Sequence, residues 1–342
     1  MNQSSKRRPR ASANEPRHRN LLSTTEIFEP IHDGLARVET RLTSQAKERF
    51  PFLSDALGHV YETSGKRFRP ALTLLAADFH PHDGVKVEIM ATAVELLHIA
   101  TLIHDDTIDS SSFRRGKETL SSMWGRNVAV LVGDYIFASS ATFVCDTEHV
   151  GVIRRFSETI MDLSSGELRE LVDTFSSDQT VDGYYKRIYE KTASLFSTSG
   201  ESGAILSGAT SDQVVALKEY SCELGMAFQI VDDILDFEGT EQEIGKPVGS
   251  DLAQGILTLP AFTAMERYPK DNPISRFFDE PDDAGLLAKA VDMVQQPSII
   301  DSAYAIAGER CAQARGMLMT LPKNNSRDSL EELLAQVLER RS

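Results

Sequence analysis

The sequence predicts an all-α fold, a single domain of about a dozen helices. Several long segments are apolar nearly all round, which is typical of helices inside a fold. A sustained alternation of apolar and polar residues, as in half-buried strands, is missing. Glycine and proline fall between the apolar segments. The 342 residues are 41% hydrophobic, enough for one large domain, and no linker-like composition divides the chain.

Four long segments carry the helical pattern. They are RPALTLLAADF (69–79), VEIMATAVELLHIATLIHDD (87–106), VAVLVGDYIFASSATFVC (128–145) and VVALKEYSCELGMAFQIVDDILDF (214–237). A last amphipathic helix follows in DSLEELLAQVLERR, with Ser326 or Asp328 as the expected cap. No Asn-Gly or Asp-Gly hairpin signal lies between β-branched runs. We also expect no membrane span, since none of these stretches approaches the roughly 20 apolar residues a span needs.

Charge is divided unevenly along the chain. The formal net charge is −15, but the first twenty residues carry six Lys or Arg and one acid, which leaves −20 for the remainder. A body this acidic is unsuited to binding nucleic acid. No apolar run follows the basic head, so it resembles neither a signal peptide nor an export signal. We interpret 1–25 as a disordered basic tail, with weak attraction to anionic membranes as its alternative role, and 26–342 as the folded domain.

The three cysteines indicate a reducing compartment. Cys145, Cys222 and Cys311 lie far apart, and no pair has the spacing of zinc ligands. Three cysteines cannot form a complete disulfide framework. We therefore expect a cytoplasmic protein.

The segment HDDTIDSSSFRRG (104–116) places three aspartates at the end of an apolar helix. Asp105 and Asp109 are four residues apart and share one helix face, with Asp106 alongside. Like charges at this spacing repel, and partial burial strengthens the repulsion unless a cation lies between them.

The same D-D-x-x-D pattern recurs at Asp232, Asp233 and Asp236, again at the end of an apolar helix. One such motif is compatible with a solvated acidic helix end, but two make that interpretation improbable. Carboxylate oxygens suit Mg²⁺, which is commonly shared between a few carboxylates and substrate phosphates. The sequence therefore predicts a magnesium site.

Basic residues that could contact phosphate accompany these motifs. They are Lys66, Arg67, Arg69, Arg114, Arg115, Lys191 and Lys246. Carboxylates, Mg²⁺ and cations together suit the departure of a diphosphate from carbon, because they neutralise the charge that builds on it. Apolar helices would keep the resulting carbocation dry.

Six motifs in order resemble the trans-isoprenyl diphosphate synthase (polyprenyl synthetase) family, and most of all its bacterial long-chain members. They are GKRFRP (65–70), ELLHIATLIHDDTIDSSSFRRG (95–116), WGRNVAVLVGDYIF (124–137), EKTASLF (190–196), FQIVDDILDF (228–237) and GKPVGSDLAQGILTLP (245–260). The resemblance implies an all-α bundle around a deep central cavity, and a homodimer. It also implies condensation of isopentenyl diphosphate with an allylic diphosphate, and three Mg²⁺ ions with substrate bound.

The resemblance also implies a role for each matching residue. Asp105, Asp109 and Asp232 would ligate Mg²⁺ that bridges the allylic diphosphate, and Asp106, Asp233 and Asp236 would support them. The allylic diphosphate would be held by Arg114, Lys191 and Lys246. Isopentenyl diphosphate would be held by Lys66, Arg69, His98 and Arg115. Thr192 and Gln229 would lie beside the reacting carbons, and the released diphosphate would accept the proton.

Two positions depart from the family pattern. The first basic motif begins Ser64-Gly65 in place of two glycines, and one glycine still leaves the backbone its freedom. Short-chain members often have a second lysine in the last motif, where this chain has Ile256. One phosphate contact is therefore missing, as it is in many long-chain members.

Product length is expected to depend on Ala100 and Thr101, which lie about 6 to 7.5 Å back along the helix from Asp105. Both are small, and in the family bulky aromatic residues there stop growth early. The resemblance implies a product of roughly six to ten isoprene units, about C30–C50, for a quinone side chain. The alternatives are a geranylgeranyl diphosphate synthase, a non-catalytic subunit of a heteromeric synthase and a class I terpene cyclase. Transient membrane contact during product release also stays open.

Overall fold

The computed structural model describes residues 23–46, 50–62, 65–239 and 247–340. Lys246, Ser64 and residues 1–22 lie outside these ranges, so the predicted disordered tail stays a prediction. The described chain is almost entirely helical, which confirms the predicted fold class.

The α-helices are α1 Thr24–Ile27, α2 His32–Ser44, α3 Pro51–Glu62, α4 Phe68–Ala77, α5 Gly84–Ile108, α6 Leu120–Trp124, α7 Arg126–Asp146, α8 Val150–Asp173, α9 Val181–Ile188, α10 Ser194–Leu206, α11 Ser211–Glu238, α12 Ser250–Ala253, α13 Leu259–Arg267, α14 Pro273–Asp279, α15 Ala284–Val294, α16 Pro297–Leu318 and α17 Asn325–Leu338. A 3₁₀ turn (Glu29–Ile31) and a π-helical turn (Tyr189–Ala193) complete the helical structure. The helices outnumber the predicted dozen because several last only one or two turns.

The four long predicted helices are confirmed as α4, α5, α7 and α11, each with slightly different ends. Helix α5 begins early, at Gly84, because the Asp83 side chain accepts a hydrogen bond from the Val85 amide and caps it. Helix α1 begins two residues before the predicted domain boundary. Ser23 and Glu26 form a reciprocal capping box there.

Helix α10 lies at the centre of the bundle and contacts α4, α5, α8 and α11. Its approach to α4 is so close that a Cβ on Gly203 would overlap the Thr73 carbonyl oxygen. A small-residue contact of this kind lets α4, α5, α10 and α11 pack tightly. The polar ends of α5 and α11 are thereby fixed relative to one another.

A short antiparallel hairpin was missed by the sequence analysis. Strands β1 (Phe113–Arg114) and β2 (Lys117–Glu118) pair across a two-residue turn. Arg115 and Gly116 both have positive φ, 51° and 77°, as a primed hairpin turn requires. Arg115-Gly116 forms the tight hairpin turn that Asn-Gly or Asp-Gly usually forms. A search for those two dipeptides alone therefore did not find this hairpin.

The expected cap of α17 was wrong. The Asn324 side chain accepts a hydrogen bond from the Arg327 amide at 2.8 Å and caps the helix. Ser326 lies one residue inside the helix, where its hydroxyl donates to Asp78 Oδ2 at 2.5 Å. The Ser326 bond therefore ties α17 to the end of α4.

Two helices correct the expectation about membrane-span length. By length and hydropathy alone, α5 and α7 could each cross a bilayer. The apolar window of α5 is 72% buried within the protein, as expected of a core helix, whereas that of α7 is 33% buried. Helix α7 therefore presents an apolar face outside the core.

Gly203→Ala should destabilise the protein by about 1–3 kcal/mol, because the added methyl must push α10 away from the α4 backbone. Thermal or urea unfolding measures this. The matched control is Gly308→Ala on α16, where a Cβ would meet nothing within 4 Å. That control should be neutral or stabilising. Equal effects of the two substitutions would contradict the close α4–α10 contact.

Candidate active site

A cavity of about 580 Å³ lies between the ends of α5 and α11, the start of α4, the hairpin and the π-helical turn. It gathers most of the residues that the sequence singled out: Lys66, Arg69, His98, Thr101, Asp105, Asp106, Asp109, Arg114, Arg115, Lys191, Thr192, Gln229, Asp232 and Asp233. Ala100 and Asp236 are not on its wall, and Lys246 lies outside the described residues. Two motifs 123 or more residues apart therefore meet at one polar cavity.

At the α5 end, the aspartates have different environments. Burial and the nearby Glu167 carboxylate raise the pKa of Asp105 to about 7, although Lys191 and Arg114 oppose the shift. Asp106 is already paired, because Arg114 Nε donates to both of its carboxylate oxygens at 2.8 Å. Asp105 is thus the carboxylate that most needs a further cation, and Asp106 positions Arg114.

At the α11 end, Asp232 faces Arg340. The Arg340 guanidinium lies 2.5 Å from Asp232 Oδ1 and 4.5 Å from the centre of the Phe228 ring. Burial nevertheless raises the pKa of Asp232 above its ordinary value. A protein cation therefore contacts the first carboxylate of the second motif.

Asp236 supports the site from behind. Its carboxylate accepts hydrogen bonds from the Ser250 hydroxyl at 2.8 Å and from the amides of Ser250 and Asp251 at 3.3 Å. These bonds fasten the start of α12 to the end of α11. Asp251 itself lines the cavity.

A hydrogen-bonded chain links Thr192 to the second aspartate motif. The Thr192 hydroxyl donates to Gln229 at 2.7 Å, and the Gln229 amide donates to Asp233 at 2.8 Å. Tyr184 donates to the other Asp233 oxygen at 2.7 Å. Burial raises the pKa of Asp233 well above its usual range, against the effect of these bonds. The chain fixes Thr192 and Gln229 at the cavity wall.

Lys191 lies on the π-helical turn and is held by two glutamates of α8. Its Nζ is 2.8 Å from Glu167 and 2.5 Å from Glu170. Burial alone would lower the pKa of Lys191, but the two carboxylates outweigh burial and raise it. π-helical turns interrupt the regular register and are frequent at functional sites. Lys191 is therefore a permanently charged group held at the wall of the cavity.

Another part of the cavity wall, around Arg69 and His98, is basic and has a donor without a hydrogen-bond partner among the described residues. Burial lowers the pKa of Arg69 to about 10, and its buried Nε has no hydrogen-bond partner in the described part of the chain. The Arg69 guanidinium lies 4.6 Å from the Phe196 ring centre. Burial and the neighbouring Arg69 and Arg115 hold the pKa of His98 well below its usual value, so His98 is neutral. This wall suits an anion.

Gly65 and Arg67 have structural reasons for their identity. A Cβ on Gly65 would overlap the Arg115 guanidinium, so the glycine permits close approach of that cation. The backbone freedom that the sequence suggested is not the reason. Arg67 has a φ of 56° and pairs with Glu95 and Glu39, each at 2.8 Å. Its pairs tie the start of α4 to α5 and α2.

A second, apolar cavity of about 260 Å³ adjoins the polar one. Thr101, Asp105 and Lys191 line both cavities, and the rest of the second wall is mainly apolar: Leu97, Ile108, Phe137, Ile160, Leu163, Leu168 and Leu171. Ala100 is fully buried in the main core and lines neither cavity. Of the two expected length determinants, Thr101 alone is at a wall.

The carboxylates fit a divalent cation that is shared with a substrate. Among the described residues, no three His, Cys, Asp or Glu side chains converge as a complete metal site. Two partly buried carboxylates with raised pKa values, Asp105 and Asp232, nevertheless line one cavity. Mg²⁺ keeps water and phosphate ligands, so it does not require a closed protein site.

Several residues of the site were missed by the sequence analysis. Glu167 and Glu170 could have been found from the sequence. They are three residues apart on α8, so they share a helix face and could together bind a lysine. Arg187 and Arg340 could not have been found from the sequence, because only the tertiary fold brings them to the cavity wall.

Known proteins of similar sequence are prenyl diphosphate synthases. The chain is 38% identical over 326 residues to solanesyl-diphosphate synthase 2, chloroplastic, of Oryza sativa subsp. japonica, covering 93% of this chain and 80% of that protein. It is 35% identical over 307 residues to heptaprenyl diphosphate synthase component 2 of Geobacillus stearothermophilus, covering 90% and 96%.

Solved structures agree with the fold. A decaprenyl diphosphate synthase from Rhodobacter capsulatus matches with a TM-score of 0.87 and 34% identity, over 94% of this chain and all of that one. A polyprenyl synthase from Caulobacter crescentus, complexed with calcium and isoprenyl diphosphate, matches with a TM-score of 0.86 and 29% identity, over 95% and 100%.

The family model of polyprenyl synthetase matches residues 50–294. That range contains both aspartate motifs, the basic motif and the Lys191 turn. Together with the fold, the cavity and the relatives, it establishes that this chain belongs to the polyprenyl synthetase family and is a prenyltransferase.

Proposed function

We propose that the protein condenses isopentenyl diphosphate head-to-tail with an allylic diphosphate, giving an all-trans long-chain polyprenyl diphosphate. The observation that carries this function is a polar cavity, with carboxylates at two helix ends and cations on its walls, that continues into an apolar one. Relatives and structural neighbours named solanesyl, heptaprenyl and decaprenyl diphosphate synthases support a product of roughly six to ten isoprene units. A quinone side chain is the expected use.

Asp105, Asp109 and Asp232 would hold Mg²⁺, three ions in all with substrate bound. The ions would neutralise charge on the departing diphosphate. A structural neighbour complexed with calcium and isoprenyl diphosphate supports divalent-cation binding at such sites. Arg340 now contacts Asp232, so it must move for a cation to bind that oxygen.

Arg114, Lys191 and Lys246 would bind the allylic diphosphate. Asp106 orients Arg114, and Glu167 with Glu170 orients Lys191. Because Arg114 and Lys191 are fixed before substrate binds, they would stabilise the leaving diphosphate without reorganising. The C1–O bond breaks, and both of its electrons leave with the diphosphate.

Lys66, Arg69, His98 and Arg115 would bind the diphosphate of isopentenyl diphosphate, and the buried Arg69 Nε would find its hydrogen-bond acceptor there. The isopentenyl double bond then attacks the allylic C1. A proton leaves C2 of the isopentenyl unit, and the released diphosphate accepts it. Thr192 and Gln229 would position these carbons, since their mutual hydrogen bond holds them at the wall.

The growing chain would enter the apolar cavity past Thr101. Its walls exclude water, which protects the carbocation, and its depth limits the number of additions. Thr101 is the residue of the α5 pair that faces this passage, and Ala100 is enclosed in the core. Phe137 and Leu97 are further wall residues of the apolar cavity.

We place the activity in one domain that begins at the Ser23–Glu26 capping box, in the cytoplasm, with a dispensable basic tail before it. All three cysteines are free, which supports a reducing compartment. Removing residues 1–22 should leave turnover unchanged, and a large loss would refute this. Transient membrane contact would serve release of the apolar product, and vesicles should then accelerate turnover.

A second candidate is a subunit that needs a partner, because one relative is named a component of its synthase. The deciding experiment incubates the purified chain alone with Mg²⁺, farnesyl diphosphate and isopentenyl diphosphate, and separates products by chromatography. We expect products in the C30–C50 range. Products that stop at C20 would support a geranylgeranyl diphosphate synthase, inactivity alone would support the subunit, and cyclic hydrocarbon from farnesyl diphosphate alone would support a terpene cyclase.

Asp105→Asn should stabilise the metal-free protein at pH 8. Burial raises the folded-state pKa of Asp105 from 3.8 to about 7, so the folded protein gains a proton in this range and loses stability as pH rises through it. Removing the charge should raise the free energy of unfolding at pH 8 by on the order of 1–3 kcal/mol, and by about a third as much at pH 5, because pH 5 already lies above the ordinary carboxyl pKa of 3.8. Thermal unfolding in EDTA measures this.

Its control is Asp146→Asn at the exposed end of α7, which should change nothing at either pH. Mg²⁺ with inorganic diphosphate should raise the melting temperature of the unaltered protein more than that of Asp105→Asn. A lower melting temperature of Asp105→Asn at both pH values would contradict the cation-deficient environment of Asp105.

Thr101→Phe should shorten the product by at least one isoprene unit, because the ring would fill the passage between the two cavities. Chromatography of the dephosphorylated products gives the chain length. Thr40→Phe, on the exposed face of α2 and away from both cavities, is the matched control. An unchanged product length in folded Thr101→Phe would show that Thr101 does not face the growing chain.

A homodimer would cover the apolar face of α7 and α8, where Leu131, Met161 and Val172 are exposed. Val172→Asp should therefore shift the dimer toward monomer in sedimentation experiments at micromolar concentration. Val215→Asp should not, because Val215 is also exposed but lies on α11, away from this face. A monomeric unaltered protein, or a dimer insensitive to Val172→Asp, would refute this interface.

A further inference from the structure

Arg187 is a buried cation on the cavity wall that has no role so far. It is the penultimate residue of α9, is 4% exposed, and lines the polar cavity together with Lys191. A guanidinium this buried is rare unless it is paired, so its partners matter.

Arg187 has a long ion pair with Glu170 and a hydrogen bond to one carbonyl, but it makes no hydrogen bond to a carboxylate of the described chain. Nη2 donates to the neutral Leu257 carbonyl at 2.7 Å. Nε lies 3.6 Å from Glu170 Oε2, beyond hydrogen-bonding distance, while the other Glu170 oxygen lies 2.5 Å from Lys191. Glu170 is therefore paired more closely with Lys191 than with Arg187. In the described part of the chain, Nη1 of Arg187 has no hydrogen-bond partner.

This arrangement favours an anion as a further partner of the Arg187 guanidinium. A buried cation is stabilised only when its donors are satisfied by an acceptor of opposite charge. The Leu257 carbonyl pins one nitrogen, so the planar group is held in place and presents its remaining donors without further loss of freedom. Because Glu170 faces both Arg187 and Lys191, the two cations share one wall.

The neighbouring segment indicates which anion. Leu257 follows Ile256, and Ile256 lines the same cavity with an apolar side chain where short-chain members of the family often have lysine. Arg187 is fastened to that segment through the Leu257 carbonyl. It is therefore close to the place where the chain lacks a cation, and it shares Glu170 with Lys191.

We propose that Arg187 binds the diphosphate of the allylic substrate beside Lys191, supplying the positive charge that Ile256 does not. This inference rests on the proposed prenyltransferase reaction. Arg187 is a substrate-binding residue in this account, and it favours the allylic diphosphate over isopentenyl diphosphate.

The test compares Arg187→Met with Arg169→Met. Arg169 is on α8, pairs with Glu190 at 3.1 Å and lines neither the polar nor the apolar cavity. For Arg187→Met we expect the KM for farnesyl diphosphate to rise about tenfold or more, and the KM for isopentenyl diphosphate to change less than about twofold. Calorimetric binding of farnesyl thiolodiphosphate, which does not require turnover, should weaken by a similar factor.

Charge replacement separates binding from a structural role. Arg187→Met/Ile256→Lys should recover most of the lost farnesyl thiolodiphosphate affinity. In the otherwise unaltered chain, Ile256→Lys should tighten binding by less than about twofold, because Arg187 already supplies the charge. This second variant keeps the proposal testable if Arg187→Met does not fold.

The outcomes are distinct. Unchanged allylic affinity in folded Arg187→Met, equal losses for both substrates, or no recovery in the double variant would overturn the role of Arg187. A gain of tenfold or more from Ile256→Lys alone would also overturn it. If the unaltered protein fails to bind farnesyl thiolodiphosphate with Mg²⁺, the proposed function fails instead.

Discussion

The active-site region depends on one constraint: carboxylates at the ends of two apolar helices are partly buried and close together, so their charge must be neutralised. Asp105 and Asp232 line a common cavity, and burial raises the pKa of each. The protein neutralises part of this negative charge itself, because Arg114 pairs with Asp106 and Arg340 pairs with Asp232. A divalent cation bound together with a diphosphate would neutralise the remaining carboxylate charge. The cation supplies positive charge, and the diphosphate oxygens help to coordinate the cation.

The same constraint separates the chemistry from the storage of product. Most charged groups line the cavity at the helix ends, and the adjoining cavity along α5 and α8 is mainly apolar, with Asp105, Glu167 and Lys191 on its wall. Thr101 lies at the passage between them. In the proposed reaction, diphosphate would be held at one end while hydrocarbon would be buried at the other. The wall cations are fixed by glutamates or carbonyls, as Lys191 and Arg187 illustrate.

Much of this was predictable from sequence, for identifiable reasons. The long helices are apolar over many turns, and the D-D-x-x-D spacing fixes which aspartates share a face, so the fold class and the aspartate clusters followed. The central cavity was implied by the family resemblance. The burial of Ala100 in the core, away from the cavity wall, could not be predicted. In a helix that is apolar on all sides, periodicity does not show which face points toward the cavity. The Arg115-Gly116 turn was missed because its dipeptide is unusual. Arg340 and Arg187 reach the cavity only through tertiary packing.

The most direct test of the shared cation site is a crystal structure with Mn²⁺ and a non-hydrolysable allylic diphosphate analogue, using anomalous scattering to locate the metal. The account predicts Mn²⁺ in contact with Asp105, Asp109 and Asp232, diphosphate oxygens completing its coordination, and Arg340 displaced from Asp232. Diphosphate bound without metal at these aspartates, or Mn²⁺ at another part of the protein, would contradict it.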